Sequence, residues 1–279
     1  MGKSFEYDEI GNWSEIKLDI VKKYAAAYTK ILSNQPNIKK CIYIDAFAGA
    51  GTHKSETTGD FVLGSPLNAL NITPPFNEFH LIDLNGEKTA ELRRQVGSRK
   101  EVIIYDGDAN QVLIDKVFPR CRYSDYARAL CLLDPYSLNV DWNVLKTAGQ
   151  MNSIEIFYNF MIMDANMNVL WRDPSKVATK QAERMDKVWG DGSWREAAYA
   201  KQFALFGDSG YAKTGNETVV EAFRQRLQKI AGFKFVPRPI PMYNKNGATI
   251  YYLFFASPND KGAKIVEYIF DKYRTKGAV

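Results

Sequence analysis

The chain has 279 residues, 46% apolar and 25% charged, which suits one large globular domain or a domain carrying an insertion. Its 37 basic and 32 acidic residues leave a net charge of +5, compatible with a nucleic-acid partner and equally with an ordinary solvated surface. No apolar run nears the ~18 residues of a membrane span, the N-terminus has no signal-peptide core, and Cys41, Cys121 and Cys131 with His53 and His80 show neither disulfide nor metal spacing. The expectation is a cytoplasmic protein with no membrane segment and no metal.

In chain order, Asn12 and Glu15 have the spacing of a capping box ahead of Ile16, Ile20, Tyr24, Tyr28 and Ile31, an amphipathic helix to about Leu32. Cys41-Ile-Tyr-Ile-Asp45 reads as a buried strand running into a glycine turn at Gly49 and Gly51. The polar stretch from His53 to Gly64 reads as a mobile loop, and Ser65-Pro66 as the cap and first turn of a short helix. Strands ending in acids follow at 79–83 and 101–108, each leading to a helix, then a strand at 129–134 and another at 153–160 around a helix near 141–149. Five strands alternating with helices imply a parallel sheet with helical crossovers.

Beyond about residue 164 the pattern changes. Residues 164–213 carry Trp171, Trp189 and Trp194 among charges and glycines with no strand signal, and read as a helical insertion. Thr214 and Glu217 space as a second capping box before a helix ending at Gly232. Strands at 233–239 and 248–256 around Asn244–Gly247 form an antiparallel pair, and a last helix spans about 262–274. The chain thus divides into 1–163, a cofactor-binding core with its N-terminal helix; 164–213, the insertion; and 214–279, the C-terminal part of the core.

Strand ends of a parallel sheet line up on one edge, so Asp45, Asp83 and the Asp106/Asp108 pair should face one crevice. An acid after the second strand can accept from the ribose hydroxyls of an adenosine, and one after the third from its adenine. The dinucleotide fingerprint fails, because Lys54 stands three residues after Gly51 where glycine is required. A phosphate-binding loop fails at His53, where glycine should precede the lysine. S-adenosylmethionine is the cofactor left standing. Leu132-Leu133-Asp134-Pro135-Tyr136 places a carboxylate, a rigid turn with a free carbonyl and an aromatic ring beside the crevice. Such a group could hold an exocyclic amine by its N–H groups, with Tyr136 stacking on the ring that bears it. An Asp-Pro turn that merely ends a strand has the same letters.

The turn Asp45-Ala-Phe47-Ala-Gly49-Ala-Gly51, with Asp83, Asp108 and Asp134-Pro135-Tyr136, resembles the class I S-adenosylmethionine-dependent methyltransferases. More narrowly, Trp13-Ser-Glu-Ile-Lys17-Leu18 with Lys23-Tyr24, then the glycine turn, then Leu-Asp-Pro-Tyr, is similar to the three-Cys-motif partner proteins over roughly residues 12–160. The resemblance implies a Rossmann-like α/β fold with a seven-stranded, mostly parallel sheet and an antiparallel C-terminal pair. It implies S-adenosylmethionine held by Asp45, Phe47, Gly49, Gly51, Asp83 and Asp108, and methyl transfer at Asp134, Pro135 and Tyr136. It also implies a separately encoded three-Cys-motif protein as partner and a winged-helix-like portion in the later half. Enzymes that methylate base amines in DNA or RNA read Asp/Asn-Pro-Pro-aromatic, whereas here Tyr136 replaces the second proline and Ser137 the aromatic. A non-catalytic adaptor with the same fold is the alternative. Trp13 and Lys17 could cover the cofactor and pair with its carboxylate, and Arg224, Arg226, Lys234 and Arg238 are candidates for substrate contact or simply a solvated face.

Overall fold

A computed structural model describes residues 5–202 and 210–275. Its centre is one sheet whose strands, in chain order, are β1 (Lys40–Asp45), β2 (Glu78–Asp83), β3 (Val102–Asp106), β4 (Ala127–Leu133), β5 (Ile154–Phe160), β6 (Ile240–Tyr243) and β7 (Thr249–Ala256). Their spatial order is β6-β7-β5-β4-β1-β2-β3. β1 to β5 are mutually parallel, and β7 enters antiparallel beside β5 with β6 antiparallel on its outer side. This is the class I methyltransferase sheet, with the expected antiparallel pair at its C-terminal edge.

The composition of the strands explains the layering. Every residue of β5 and nearly every one of β4 is buried, as continuous apolar strands must be when helices cover both faces. One face is covered by α1 (Asn12–Ser33), by Gly86–Val96 and by Asp260–Thr275, which share a core around Tyr43, Phe157 and Phe255. The other face is covered by Trp142–Met151, Thr179–Trp189 and Asn216–Lys229, packed around Ile44, Phe160, Phe223 and Phe254. Phe160 and Phe223 stack with ring centres 4.7 Å apart.

Several local expectations are corrected. α1 begins after Gly11 with no side-chain cap, because the Glu15 carboxylate accepts from Ser55 Oγ at 2.7 Å instead. The helix expected from Thr214 begins after Gly215, since Thr214 Oγ1 donates to the Ala197 carbonyl at 2.7 Å and Glu217 accepts from Tyr252 at 3.3 Å. Gly64, rather than Ser65, precedes the Ser65–Leu70 helix. The stretch 53–64 is a ribbon: Thr52–Ser55 pairs antiparallel with Phe61–Leu63 and parallel with Glu9–Ile10. The strand expected at 233–239 forms instead at Ile240–Tyr243, because Pro237 and Pro239 have no N–H to give a ladder. Residues 164–213 include the expected helices, and in addition Tyr199–Gln202 pairs antiparallel with Gly210–Lys213. Met185, Trp189 and Trp194 of this segment belong to the main core.

Two carboxylates are enclosed at opposite ends of the sheet, Asp45 where β1 ends and Glu155 where β5 begins. Burial is the first cause in each case of a pKa raised to about 7. Because the folded state holds these protons more tightly than the unfolded chain, their contribution to stability is complete below about pH 4 and is lost as pH rises through about 7. Urea unfolding should therefore show lower stability at pH 8 than at pH 5. Asp45→Asn and Glu155→Gln should each flatten that slope; an unchanged slope in both would refute the assignment. A second test concerns packing. A Cβ at Gly149 would lie 2.2 Å from the Ala231 carbonyl oxygen, backbone that cannot move aside, so Gly149→Ala should cost about 3 kcal/mol and lower Tm by several degrees. Gly86→Ala, which meets nothing within 4 Å, should melt like the parent chain.

Candidate active site

The strand order reverses between β1 and β4, and a crevice opens there beyond the carboxyl ends of the strands. From β1 the chain enters the turn Ala46–Gly51, where Gly49 and Gly51 hold φ of 60° and 86°, the left-handed region open to glycine. Asp83 at the end of β2 clamps this turn. One of its oxygens accepts from the Gly49 N–H at 2.8 Å and the other from the Asn85 N–H at 2.8 Å. Asn85 in turn caps the Gly86–Val96 helix. The two bonds leave further lone pairs on Asp83, since a carboxylate offers about four acceptor positions.

The other acids divide their roles. Asp106 pairs with the Arg93 guanidinium at 3.1 Å. Asp108 is exposed and caps the short helix at Ala109, accepting from the Gln111 N–H at 3.1 Å. Asp45 has no exposed surface and accepts from the Phe47 N–H and the Tyr43 hydroxyl, each at 3.3 Å. Its raised pKa comes from burial first, opposed by a hydrogen bond from Ser65 and reinforced by the nearby Asp134 charge. Asp45 is thus sealed beneath the turn, and Phe47 presents the turn's accessible side.

β4 ends at Leu133, and Asp134, Pro135 and Tyr136 follow at the floor and rim of a pocket of about 260 Å³. Trp13, Lys17, Phe47, His53 and Asn159 complete much of its wall. Asp134 is gripped from two sides: the Lys17 ammonium of α1 donates to one oxygen and the Asn159 amide of β5 to the other. The register explains the second contact, because Leu133 lies beside Tyr158 and the next residues of each strand follow in step. The Lys17 side chain is only 6% exposed and Asp134 23%. Lys17 therefore pairs with Asp134 within the chain. Pro135 is buried and Tyr136 is exposed at the rim.

Two polar atoms in this wall have no hydrogen-bond partner among the described residues, Asn159 Oδ1 and His53 Nδ1. Burial lowers the pKa of His53, which favours the neutral ring. Buried unpaired acceptors and donors are uncommon and mark places where a ligand or water belongs.

Above the pocket lies an N-terminal strap that sequence reasoning missed. The Asp8 carbonyl accepts from the Lys54 N–H at 2.9 Å, and Glu9–Ile10 continues the pairing. The Asp8 carboxylate receives Lys88 at 2.6 Å and the Tyr136 hydroxyl at 3.3 Å, while the Tyr7 hydroxyl donates to Glu91 at 2.6 Å. Asn159 was also missed, although a lone amide inside the apolar run Ile-Phe-Tyr-Asn-Phe was its visible signal.

The basic candidates do not gather here. Arg224 is held by Glu221 and the Val236 carbonyl, and Arg226 by the Trp189 carbonyl and Asp191. Lys234 lies at a different pocket, at the amino ends of the strands. Among the described residues no cluster could hold a metal ion and no helix is long and apolar enough to cross a membrane.

No family model matches the chain, and no curated protein does. Solved structures do resemble it. Protein LPL1258 from Legionella pneumophila, of the family DUF519, aligns with a TM-score of 0.58 at 11% identity, covering 95% of this chain and 92% of its own. An S-adenosylmethionine-dependent methyltransferase from Clostridium acetobutylicum aligns at 0.38 and 11% identity, over 85% and 91%. The DszA carbon methyltransferase aligns at 0.44 and 15% identity, over 88% of this chain and 54% of its own. At such identities the likeness to LPL1258, which spans nearly the whole of both chains, is one of fold.

Proposed function

We propose that this chain is an S-adenosylmethionine-dependent methyltransferase acting on an exocyclic amine of a nucleic-acid base. One observation carries the reading: Asp134 stands on the pocket floor at the switch point of the sheet, held there by Lys17 and Asn159. The residues fit the cofactor. The Gly49–Gly51 turn with Phe47 would hold its methionine end, Asp83 its ribose and Asp108 its adenine, and the unpaired His53 and Asn159 atoms leave polar positions for a ligand to fill.

S-adenosylmethionine supplies an activated methyl group when bound. The chain's own part is positioning. Asp134 and the Pro135 carbonyl accept the two amine N–H groups, which turns the nitrogen lone pair toward the methyl group. Lys17 balances the carboxylate's charge and Asn159 fixes its plane, so Asp134 keeps a single orientation. The Tyr136 ring, exposed at the rim with the Lys88 ammonium 5.3 Å from its centre, offers a face on which the base stacks. The three-Cys-motif protein named by the resemblance belongs to this reading as a partner, tested by co-purification from a co-expressing cell.

Asp134→Ala should bind S-adenosylmethionine with unchanged affinity in calorimetry and transfer methyl groups to DNA or RNA on the order of 10²-fold more slowly. If transfer is unaffected, or no transfer exists to lose while the partner still binds, the chain is an adaptor. Failure of the folded protein to bind the cofactor would remove the methyltransferase reading altogether. Nucleic-acid binding should weaken as salt rises, because phosphate contacts release counterions.

The grip on Asp134 has its own test. Lys17→Met strands the carboxylate, and since Asp134 is partly hydrated the expected loss is about 1–3 kcal/mol in urea unfolding. Adding Asp134→Asn to Lys17→Met should recover most of it. Strictly additive losses would show that the two groups are not coupled.

A further inference from the structure

A second pocket, of about 880 Å³, opens at the amino ends of the strands, opposite the Asp134 site. That volume lies within the roughly 300–1,000 Å³ typical of small-molecule sites. Its wall is formed by the C-terminal half of α1, the loop before β5, and the start of the Asp260–Thr275 helix.

Two buried groups of opposite character mark its interior. Glu155, 5% exposed, accepts from the Tyr24 hydroxyl and from Ser257 Oγ at 2.8 Å, which leaves two of its acceptor positions. Tyr28 is 6% exposed, and its hydroxyl has no partner among the described residues. Its surroundings include both Glu155 and Arg128. An orphaned buried hydroxyl beside a buried carboxylate is a costly arrangement for an empty protein and an ordinary one for a binding site.

The mouth is cationic. Arg128, Lys234 and Lys261 line it and form no ion pair among the described residues. Arg128 spends one N–H on the Ala127 carbonyl at 2.7 Å and stacks on Tyr123 at 3.8 Å, leaving donors to spare. The one acid of the rim, Asp260, is paired with Lys264. The N-terminus of the Asp260–Thr275 helix adds its partial positive charge to the same side.

We infer that this pocket binds an anionic small molecule carrying an amino group, of the size of a nucleoside monophosphate. The phosphate sits among Arg128, Lys234 and Lys261, and the amino group donates to Glu155 and contacts the Tyr28 hydroxyl. The aromatic Tyr28 and Phe235 supply the apolar wall that a base requires. The inference does not depend on methyl transfer.

Calorimetry on the full chain, with S-adenosylhomocysteine in excess to fill the other crevice, provides the test. At pH 8, where Glu155 is ionised, adenosine monophosphate should bind at one site about tenfold more tightly than inosine monophosphate, the worth of one hydrogen bond to a charged group, and more tightly still than inorganic phosphate. Tyr28→Phe and Lys234→Glu should each weaken it on the order of tenfold. Tyr28→Phe removes a hydroxyl that has no partner among the described residues, so its melting temperature should equal or exceed the parent's and its effect be one of binding. No saturable binding of adenosine monophosphate overturns the inference. So does binding that Tyr28→Phe and Lys234→Glu both spare, or affinity no better than that of phosphate.

Discussion

Much of this structure depends on how α1 meets the sheet. Two carboxylates at the ends of the sheet, the half-buried Asp134 just past β4 and the buried Glu155 in β5, each accept from a side chain of that helix, Lys17 and Tyr24 respectively. Seven residues of helix span about 10 Å, so the two contacts fix both the helix's position along the strands and its rotation. Burying either carboxylate without its partner would carry a heavy desolvation cost. The apolar face of α1 supplies the attraction through Val21, Tyr24, Ala25 and Tyr28, but apolar packing alone tolerates sliding. The polar contacts select the register.

The acids at the strand ends show why a row of carboxylates is weaker testimony to a ligand than it looks. All stand where the sequence places them, and each has work within the chain. Asp83 shapes the glycine turn, Asp106 pairs with Arg93, Asp108 caps a helix and Asp45 is sealed beneath the turn. Acids gather at strand ends partly because turns and helix starts require acceptors there. Asp134 differs from them. Its two donors come from distant elements, one from α1 and one from β5, and neither is a backbone group completing a turn. A side chain held by two others in a cavity wall is organised toward the cavity.

The sheet was legible because its signals are local and redundant. Continuous apolar runs such as Ala129–Leu133 and Ile154–Phe160, each bounded by polar turns, admit little besides buried strands. Both capping boxes had the right spacing and neither formed, because Ser55 and Tyr252 offered the glutamates better partners from elsewhere in the fold. The ribbon from Thr52 to Leu63 was opaque for a similar reason. Its strands are only three or four residues long, Thr52–Ser55 is polar throughout, and the pairing with Glu9–Ile10 joins segments more than forty positions apart. Lys17 was visible as a conspicuous cation on a helix, but its partner lies 117 residues away, beyond anything that periodicity reports.

The floor and the roof of the Asp134 pocket are built to different strengths. The floor consists of buried strand ends, with Lys17 and Asn159 almost wholly removed from water. The roof is the strap of Tyr7–Ile10, whose ion pair Lys54–Glu9 is exposed and so worth little, while Lys88–Asp8 is only partly screened from water. Among the described residues its two-residue strand pairs with one neighbour, Thr52–Ser55. Local opening of such a segment costs far less than global unfolding, so the strap can lift while the groups beneath it stay in place. A pocket that holds Asp134 in one orientation beneath a liftable strap combines a fixed floor with an accessible mouth. Rigidity is concentrated at the buried strand ends around Asp134, and the weaker contacts lie at the exposed mouth of the pocket.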